Sequence, residues 1–130
     1  MGGTDQAKSQ TSKLIAIIDD DESICESLRD FIESTGLVAQ CFGSAEEFLE
    51  SGLHRRAAFV IADICMPQMS GLELQARLKA EGFNVPIIFI TDHGDAKMRI
   101  RAMREGPVEF LTKPIDREVL LKILRAALDR

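Results

Sequence analysis

The sequence predicts an α/β fold in which helices cover both faces of a parallel sheet. Apolar, strand-like runs alternate with amphipathic helical stretches from Lys13 onward, and the connections between them are short. Several of the runs end in polar side chains, as strands do where ligands bind in open α/β sheets. Five such strand–helix units imply parallel strands that are buried on both faces. At 130 residues, the chain is predicted to fold as one domain.

The strands are predicted from short apolar runs bounded by turn residues. The five candidates are Leu14–Ile18, Val38–Cys41, Phe59–Ala62, Ile87–Ile90 and Val108–Leu111. Residues 1–12 are rich in Gly, Ser, Thr and Gln and lack an apolar period, so we interpret them as a disordered tail or a cloning remnant. Residues 13–130 are predicted to form the domain.

The helices are predicted from apolar stripes at helical spacing and from capping residues. The stripe of the first helix consists of Ile24, Leu28, Phe31 and Ile32. Gly36 is expected to stop that helix, and a capping box from Ser44 to Glu47 opens the second. The predicted caps of the three later helices are Ser70, Asp95 and Asp116.

Composition limits the classes of function. A net charge of −5 and the lack of Trp and Tyr argue against nucleic-acid binding by this segment itself. No apolar stretch is long enough to span a membrane. Cys25, Cys41 and Cys65 match neither a zinc spacing nor a disulfide framework, which favours reduced thiols in a cytoplasmic protein. His54 is predicted to lie in a surface loop.

Four of the predicted strands end in groups suited to phosphoryl chemistry. Asp19 and Asp20 follow the first strand, Asp63 follows the third, Thr91 the fourth and Lys113 the fifth. Parallel strands would bring these groups to one edge of the sheet. Carboxylates suit a divalent cation, and a hydroxyl and an amine suit a phosphoryl group.

Mg²⁺ needs only one or two carboxylates because it keeps several waters. Asp20 and Asp63 are the predicted direct ligands, Asp19 is predicted to act through water, and the backbone carbonyl of Cys65 could complete the set. Asp63 is also the candidate nucleophile, since a carboxylate that attacks phosphorus forms an acyl phosphate. Lys113 would pair with the phosphoryl group, and Thr91 would donate a hydrogen bond to it.

These residues resemble the signature of the receiver domains of two-component response regulators. The motifs are Asp19-Asp20, Asp63 with Met66-Pro67 and Ser70-Gly71, Thr91, and Lys113-Pro114. The resemblance runs from Lys13 to about Asp129. The stretches 66–71 and 90–95 are similar to the FixJ subgroup, which usually carries a C-terminal DNA-binding output domain.

The resemblance implies a flavodoxin-like (CheY-like) three-layer sandwich with strand order 2-1-3-4-5. It implies that a sensor histidine kinase phosphorylates Asp63 in the presence of Mg²⁺, for which Mn²⁺ could substitute. It gives Thr91 the role of switch hydroxyl and Phe110 that of aromatic switch, whose alternative is a plain core residue. The Lys113-Pro114 bond is expected to be cis. A homodimer through the last two helices and last strand is possible, and DNA contact would need an output domain outside this chain.

Three residues depart from the family pattern or could modulate the site. Asp92 follows the switch hydroxyl, where the family prefers Ala or Gly, and its carboxylate could repel the phosphoryl group. The alternative is an outward-facing Asp that caps the next helix. Pro107 could stiffen the joint before the last strand, and His93 could influence a hydrolytic water.

Two other functions compete with the receiver interpretation. Haloacid-dehalogenase-type phosphatases also use a strand-end Asp and Mg²⁺, but they require a second Asp two residues later, where this chain has Cys65. A receiver-like interaction module that works without phosphorylation is the remaining alternative. We therefore predict a regulator that catalyses only its own phosphorylation and dephosphorylation, and not an enzyme acting on other substrates.

Overall fold

The computed structural model describes residues 13–92, 95–104 and 109–128, and five strands run through them. The strands are β1 (Leu14–Ile18), β2 (Val38–Phe42), β3 (Ala57–Asp63), β4 (Ile87–Thr91) and β5 (Glu109–Thr112). They form one parallel sheet in the order β2-β1-β3-β4-β5. The predicted fold class and strand order are confirmed. Val108 and Pro107 lie outside the described residues.

Helices follow the strands in alternation. They are α1 (Glu22–Ser34), α2 (Ala45–Ser51), α3 (Gly71–Ala80), α4 (Ala96–Arg104) and α5 (Arg117–Leu128). A short 3₁₀ turn, Leu53–Arg55, joins α2 to β3. None of the helices in the described ranges has the length and apolar character needed to span a membrane.

The two faces of the sheet carry separate apolar layers, because successive strand residues point to opposite sides. One layer packs α1 and α5 against β1 through side chains such as Ile15 and Ile17. The other packs α2, α3 and α4 against the opposite face, which includes Ile18 and Phe89. Full burial of an aliphatic or phenyl side chain contributes about 1.5–3 kcal/mol to stability. The two layers therefore hold the strand ends at fixed positions.

Most of the predicted caps form. The Ser44 Oγ accepts from the Glu47 amide at 3.1 Å, the Ser70 Oγ accepts from the Glu73 amide at 3.2 Å, and Asp116 Oδ1 accepts from two amides of the first turn of α5. The capping box differs from the prediction, because the Glu47 carboxylate accepts from the Gly43 amide, one residue before the cap. Asp95 immediately precedes α4 and accepts the Arg99 amide at its carbonyl.

His54 is not a surface residue, contrary to the sequence prediction. The 3₁₀ turn directs it inward, where it is 8% exposed and meets the rings of Phe48 and Phe83 edge-on. Its neighbours Arg55 and Arg56 are exposed. The prediction failed because the neighbouring arginines suggested a surface loop, whereas the His54 ring packs in the core as an aromatic side chain.

Candidate functional site

The carboxyl ends of the strands bring the predicted polar residues to one edge of the sheet. Asp63 is the last residue of β3, and Thr91 is the last residue of β4. The loop after β1 carries Asp19 and Asp20, and Lys113 directly follows β5. The Lys113 amide donates to the Thr91 carbonyl at 3.0 Å, which fixes the start of the loop after β5 against β4.

Three carboxylates form an acidic cluster at this edge. Oxygen atoms of Asp19, Asp20 and Asp63 lie within 4.8 Å of one another. Asp19 and Asp63 are buried and Asp20 is exposed, so the cluster opens to solvent on one side. Backbone contacts hold Asp19: its amide donates to the Phe42 carbonyl at 3.1 Å, and its Oδ1 accepts from the Asp21 amide at 2.9 Å.

The cluster fits a divalent cation. The Oδ2 atom of Asp19 is buried and has no hydrogen-bond partner in the described part of the chain. A buried polar atom without a partner is costly, and a hard cation or its bound water would satisfy this one. All three candidate metal ligands in the cluster are carboxylate oxygens, the ligands that Mg²⁺ prefers.

Asp63 and Lys113 form an ion pair beside the cluster. The Lys113 Nζ lies 3.4 Å from Asp63 Oδ2, while Asp63 Oδ1 accepts from the Cys65 amide at 3.0 Å. These two contacts fix the rotation of the carboxylate and leave it facing a positive charge. Cys65 itself is exposed.

Burial and mutual repulsion perturb the acidic groups. Burial, together with the charge of Asp63, raises the pKa of Asp19 to about 6, although the hydrogen bond from the Asp21 amide opposes the change. Burial also raises the pKa of Asp63, although the Cys65 amide and Lys113 oppose that change. Burial lowers the pKa of Lys113, but the carboxylates of Asp63 and Asp19 outweigh it, so the net change is upward. A cation in the cluster would relieve this concentration of negative charge.

Thr91 and Phe110 occupy the neighbouring strands β4 and β5, and their contacts with other described residues lead to different partners. Thr91 is fully buried, with its Oγ1 3.5 Å from the Thr112 Oγ1. Phe110 is half-buried, stacks on the buried Phe89 ring at 6.1 Å between centroids, and lies under the Arg99 guanidinium at 5.5 Å.

The predicted modulatory residues are only partly within the described structure. Asp92 is exposed, its amide donates to Asp95 Oδ2 at 2.8 Å, and its charge contributes to raising the pKa of Lys113. Asp92 therefore lies on the solvent side of the site, within electrostatic reach of the Lys113 amine. His93 and Pro107 lie outside the described residues.

Sequence reasoning missed two contacts near the site. The Glu46 carboxylate of α2 accepts from the Met69 amide at 3.1 Å, which ties the loop after Asp63 to a neighbouring helix. Arg99 covers the ring of Phe110. The sequence does not single out Glu46, because acidic residues are common in the first turn of a helix. Arg99 belonged to a basic helix face that is usually only solvated.

Comparison with known proteins agrees with this geometry. The family model described as "Response regulator receiver domain" matches residues 15–125. The chain is 43% identical over 120 residues to the response regulator protein TodT of Pseudomonas putida, covering 92% of this chain and 53% of TodT. It is 38% identical over 116 residues to the transcriptional regulatory protein FixJ of Azorhizobium caulinodans, covering 89% of this chain and 55% of FixJ.

Solved structures give the same result. The crystal structure of FixJ-N superposes with a TM-score of 0.80 at 32% identity, covering 91% of this chain and 94% of that one. A receiver-domain structure from Clostridium thermocellum gives a TM-score of 0.83 at 29% identity, with 91% and 95% covered. The chain spans about half the length of the curated relatives named here. Strand order, acidic edge and family match together show that this chain belongs to the receiver domains of two-component response regulators.

Proposed function

We propose that this domain accepts a phosphoryl group from a sensor histidine kinase on Asp63. The observation that carries the proposal is the meeting of Asp63, the partner carboxylates Asp19 and Asp20, and Lys113 at one edge of the sheet. An isolated acid on a strand end would have neither a cation site nor a fixed amine beside it.

Each of these residues has a separate role in phosphoryl transfer. The Asp63 carboxylate, held by the Cys65 amide, attacks phosphorus and forms an acyl phosphate. Lys113 pairs with the phosphoryl oxygens as a point charge. Asp20 and Asp63, with Asp19 through water and the Cys65 carbonyl, would hold Mg²⁺ or Mn²⁺. The bound cation supplies charge neutralisation between the carboxylate and the incoming phosphoryl oxygens.

Phosphorylation then has to change the output surface. We assign Thr91 as the hydroxyl that moves to donate to the phosphoryl group and Phe110 as the ring that responds. That surface includes α4, whose Ile100 and Met103 side chains are 56% and 61% exposed. Exposed apolar residues on a helix suit a protein contact, so we propose a second copy of the domain as the partner of this face. A DNA-binding output domain outside this chain would respond to the change.

The direct test is intact-mass analysis after incubation with acetyl phosphate and Mg²⁺. We expect the mass of one phosphoryl group to be added to the wild type and lost in Asp63→Asn and in EDTA. Because a small phosphodonor can fail where a kinase succeeds, a cognate or promiscuous histidine kinase is the second donor. Mg²⁺ binding without phosphorylation by either donor would instead favour a phosphorylation-independent interaction module.

Asp92→Ala should accelerate phosphorylation by about two- to fivefold. In water, the exposed Asp92 charge would repel each unit of negative charge on the incoming phosphoryl group by at most about 1 kcal/mol at a separation of about 4 Å. The rate is measured by mass at low salt, and the gain should shrink at high salt, where exposed charges are screened. Glu33→Ala is the matched control, since it removes an exposed charge from the opposite end of α1. Equal rates in Asp92→Ala and wild type would mean that Asp92 does not gate the site.

Arg99→Ala should loosen Phe110 before phosphorylation. A cation–π contact at a partly exposed site is worth about 0.5–1 kcal/mol, which changes a two-state population by about two- to fivefold. Aromatic NMR signals of Phe110, assigned with Phe110→Leu, report the change. Arg101→Ala removes an exposed charge from the same helix and should leave those signals in place. A similar shift in both variants would assign the effect to helix charge and not to the ring contact.

A further inference from the structure

Two cysteines that the phosphoryl site does not use meet beneath the acidic cluster. Cys25 lies in the first turn of α1 and is 3% exposed, while Cys41 lies on β2 and is half-buried. Both belong to the apolar layer between α1 and the sheet. Cys41 is the direct neighbour of Ile17 in the sheet, and the Cys25 Sγ lies 3.8 Å from the Ile17 carbonyl oxygen and 3.9 Å from that of Phe42. Each thiol also influences the pKa of the other, as expected of two side chains that lie close together in this layer.

We propose that Cys25 and Cys41 form a reversible disulfide that links α1 to β2. A disulfide needs two β-carbons about 4 Å apart with side chains that converge. Here both side chains lie in the layer between α1 and the sheet, and the Cys25 Sγ approaches the backbone of Ile17 and Phe42, which are the cross-strand and chain neighbours of Cys41. Disulfides in intracellular proteins are mostly transient and regulatory, which fits a bond that forms only under oxidation.

The chemistry requires an oxidant of the peroxide class. Cys41 reacts first because it is the more accessible thiol, and its sulfur attacks the peroxide O–O bond to give a sulfenic acid and the corresponding alcohol or water. The Cys25 sulfur then attacks the Cys41 sulfur, an S–S bond forms, and the sulfenic hydroxyl leaves as water with the Cys25 proton. Two electrons pass from the two thiols to the peroxide. Burial raises the pKa of Cys41, with Cys25 and Arg29 opposing it, so oxidation should be faster at alkaline pH.

The disulfide would act on the acidic cluster through Asp19. The Cys25 Sγ lies 3.6 Å from the Asp19 carbonyl oxygen, and the Asp19 amide donates to Phe42, the residue after Cys41. Oxidation removes the thiol donor and draws the first turn of α1 toward β2. Asp19 lies between these two attachments, so its carboxylate should shift. This regulatory consequence, unlike the disulfide itself, rests on the proposed phosphorylation of Asp63.

The test begins with the redox state alone. The protein carries Cys65→Ser throughout, because the exposed Cys65 thiol would otherwise form links between molecules. After treatment with hydrogen peroxide, we expect most molecules to lose two hydrogen atoms, to yield a Cys25–Cys41 cross-linked peptide, and to regain the reduced mass with dithiothreitol. Over-oxidised Cys41 without that peptide would overturn the proposal.

Two single variants separate the steps. Cys25→Ser should trap Cys41 as a sulfenic acid that dimedone labels, whereas the parent should be labelled several-fold less because the disulfide consumes it. Cys41→Ser should not lose two hydrogen atoms on oxidation. Because Cys41 is the more exposed of the two positions, this variant is used if Cys25→Ser folds poorly. Equal dimedone labelling of the parent and Cys25→Ser would contradict a disulfide.

Phosphorylation of the oxidised and reduced forms is then compared by mass. We expect the oxidised form to react about two- to tenfold more slowly, as the loss of one hydrogen bond predicts, and to recover its rate with dithiothreitol. Equal rates would refute the regulatory link. A reduced form that no phosphodonor modifies would refute the proposed function and leave the disulfide result standing.

Discussion

The Asp19→Asn variant should unfold at a higher temperature than the wild type at neutral pH in EDTA, and should bind Mg²⁺ far more weakly. Burial and the nearby Asp63 charge make ionised Asp19 unfavourable in the folded chain, where its pKa is about 6 against the ordinary value of 3.8. A difference of about two pKa units between folded and unfolded chains corresponds to about 3 kcal/mol. We expect Asp19→Asn to recover about 1–3 kcal/mol of this.

The amide should fit where the carboxylate stands. Its oxygen can accept from the Asp21 amide as Asp19 Oδ1 does, and its nitrogen replaces Oδ2, the buried atom without a partner, and can donate toward Asp63. The same replacement removes a negative charge from the cation site. The wild type should therefore gain thermal stability on addition of Mg²⁺, while the variant should gain little.

The pH dependence follows from the direction of the shift. The folded chain holds the Asp19 proton more tightly than the unfolded chain, so this group favours folding most below about pH 4. That contribution declines as the pH rises and is fully lost above about pH 6. The advantage of Asp19→Asn should consequently be large at pH 7.5 and small at pH 4.

Denaturant unfolding at both pH values in EDTA measures this prediction. Asp21→Asn is the matched control, because Asp21 lies in the same loop but its pKa is lowered by amide hydrogen bonds at the start of α1. Asn also caps helices well, so this control should be neutral or slightly destabilising. A lower stability of Asp19→Asn at pH 7.5, or an equal gain at pH 4, would contradict the electrostatic explanation.

The sequence was informative wherever a local pattern determines the structure. Buried runs such as Ile87–Ile90 predicted strands because both faces of a parallel sheet are apolar, and the observed strands differ from the predictions by a few residues at most. Asp63 and Lys113 were predicted to meet because parallel strands end at one edge, and they lie 3.4 Å apart. The cis Lys113-Pro114 bond expected from the family resemblance is also present.

What the sequence did not predict depends on contacts between distant residues. The depth of His54 depends on how the 3₁₀ turn packs against Phe83. The proximity of Cys25 to Cys41 depends on where α1 lies over the sheet. Neither the burial of His54 nor the proximity of the two cysteines follows from the spacing of residues along the sequence. The roles predicted for Thr91 and Phe110 concern a change of conformation, and a single conformation does not test them.

Gly71→Ala should be among the most damaging single-methyl additions, because Gly71 is where α3 approaches the chain beyond Asp63 most closely. A β-carbon there would lie 2.7 Å from the Asp63 carbonyl oxygen and 3.0 Å from both the Ile64 Cα and the Phe89 ring. Two of those neighbours are backbone atoms, which cannot rotate away as a flexible side chain can. Overpacking of this kind costs about 1–3 kcal/mol, and occasionally more.

The damage should extend to function, since the backbone that must move carries Asp63, the proposed phosphoacceptor. The Gly71 amide donates to the Ile64 carbonyl at 3.1 Å, so α3 and the end of β3 shift together. We expect Gly71→Ala to lower the unfolding temperature and also the phosphorylation rate of the molecules that remain folded. Gly43→Ala is the control: its β-carbon would meet only the Glu47 side chain, at 3.4 Å, and its stability should change by about 0.5 kcal/mol or less. If Gly71→Ala and Gly43→Ala gave the same unfolding temperature and the same phosphorylation rate, the backbone at the end of β3 could shift without cost. The claim that α3 holds Asp63 rigidly in place would then be refuted.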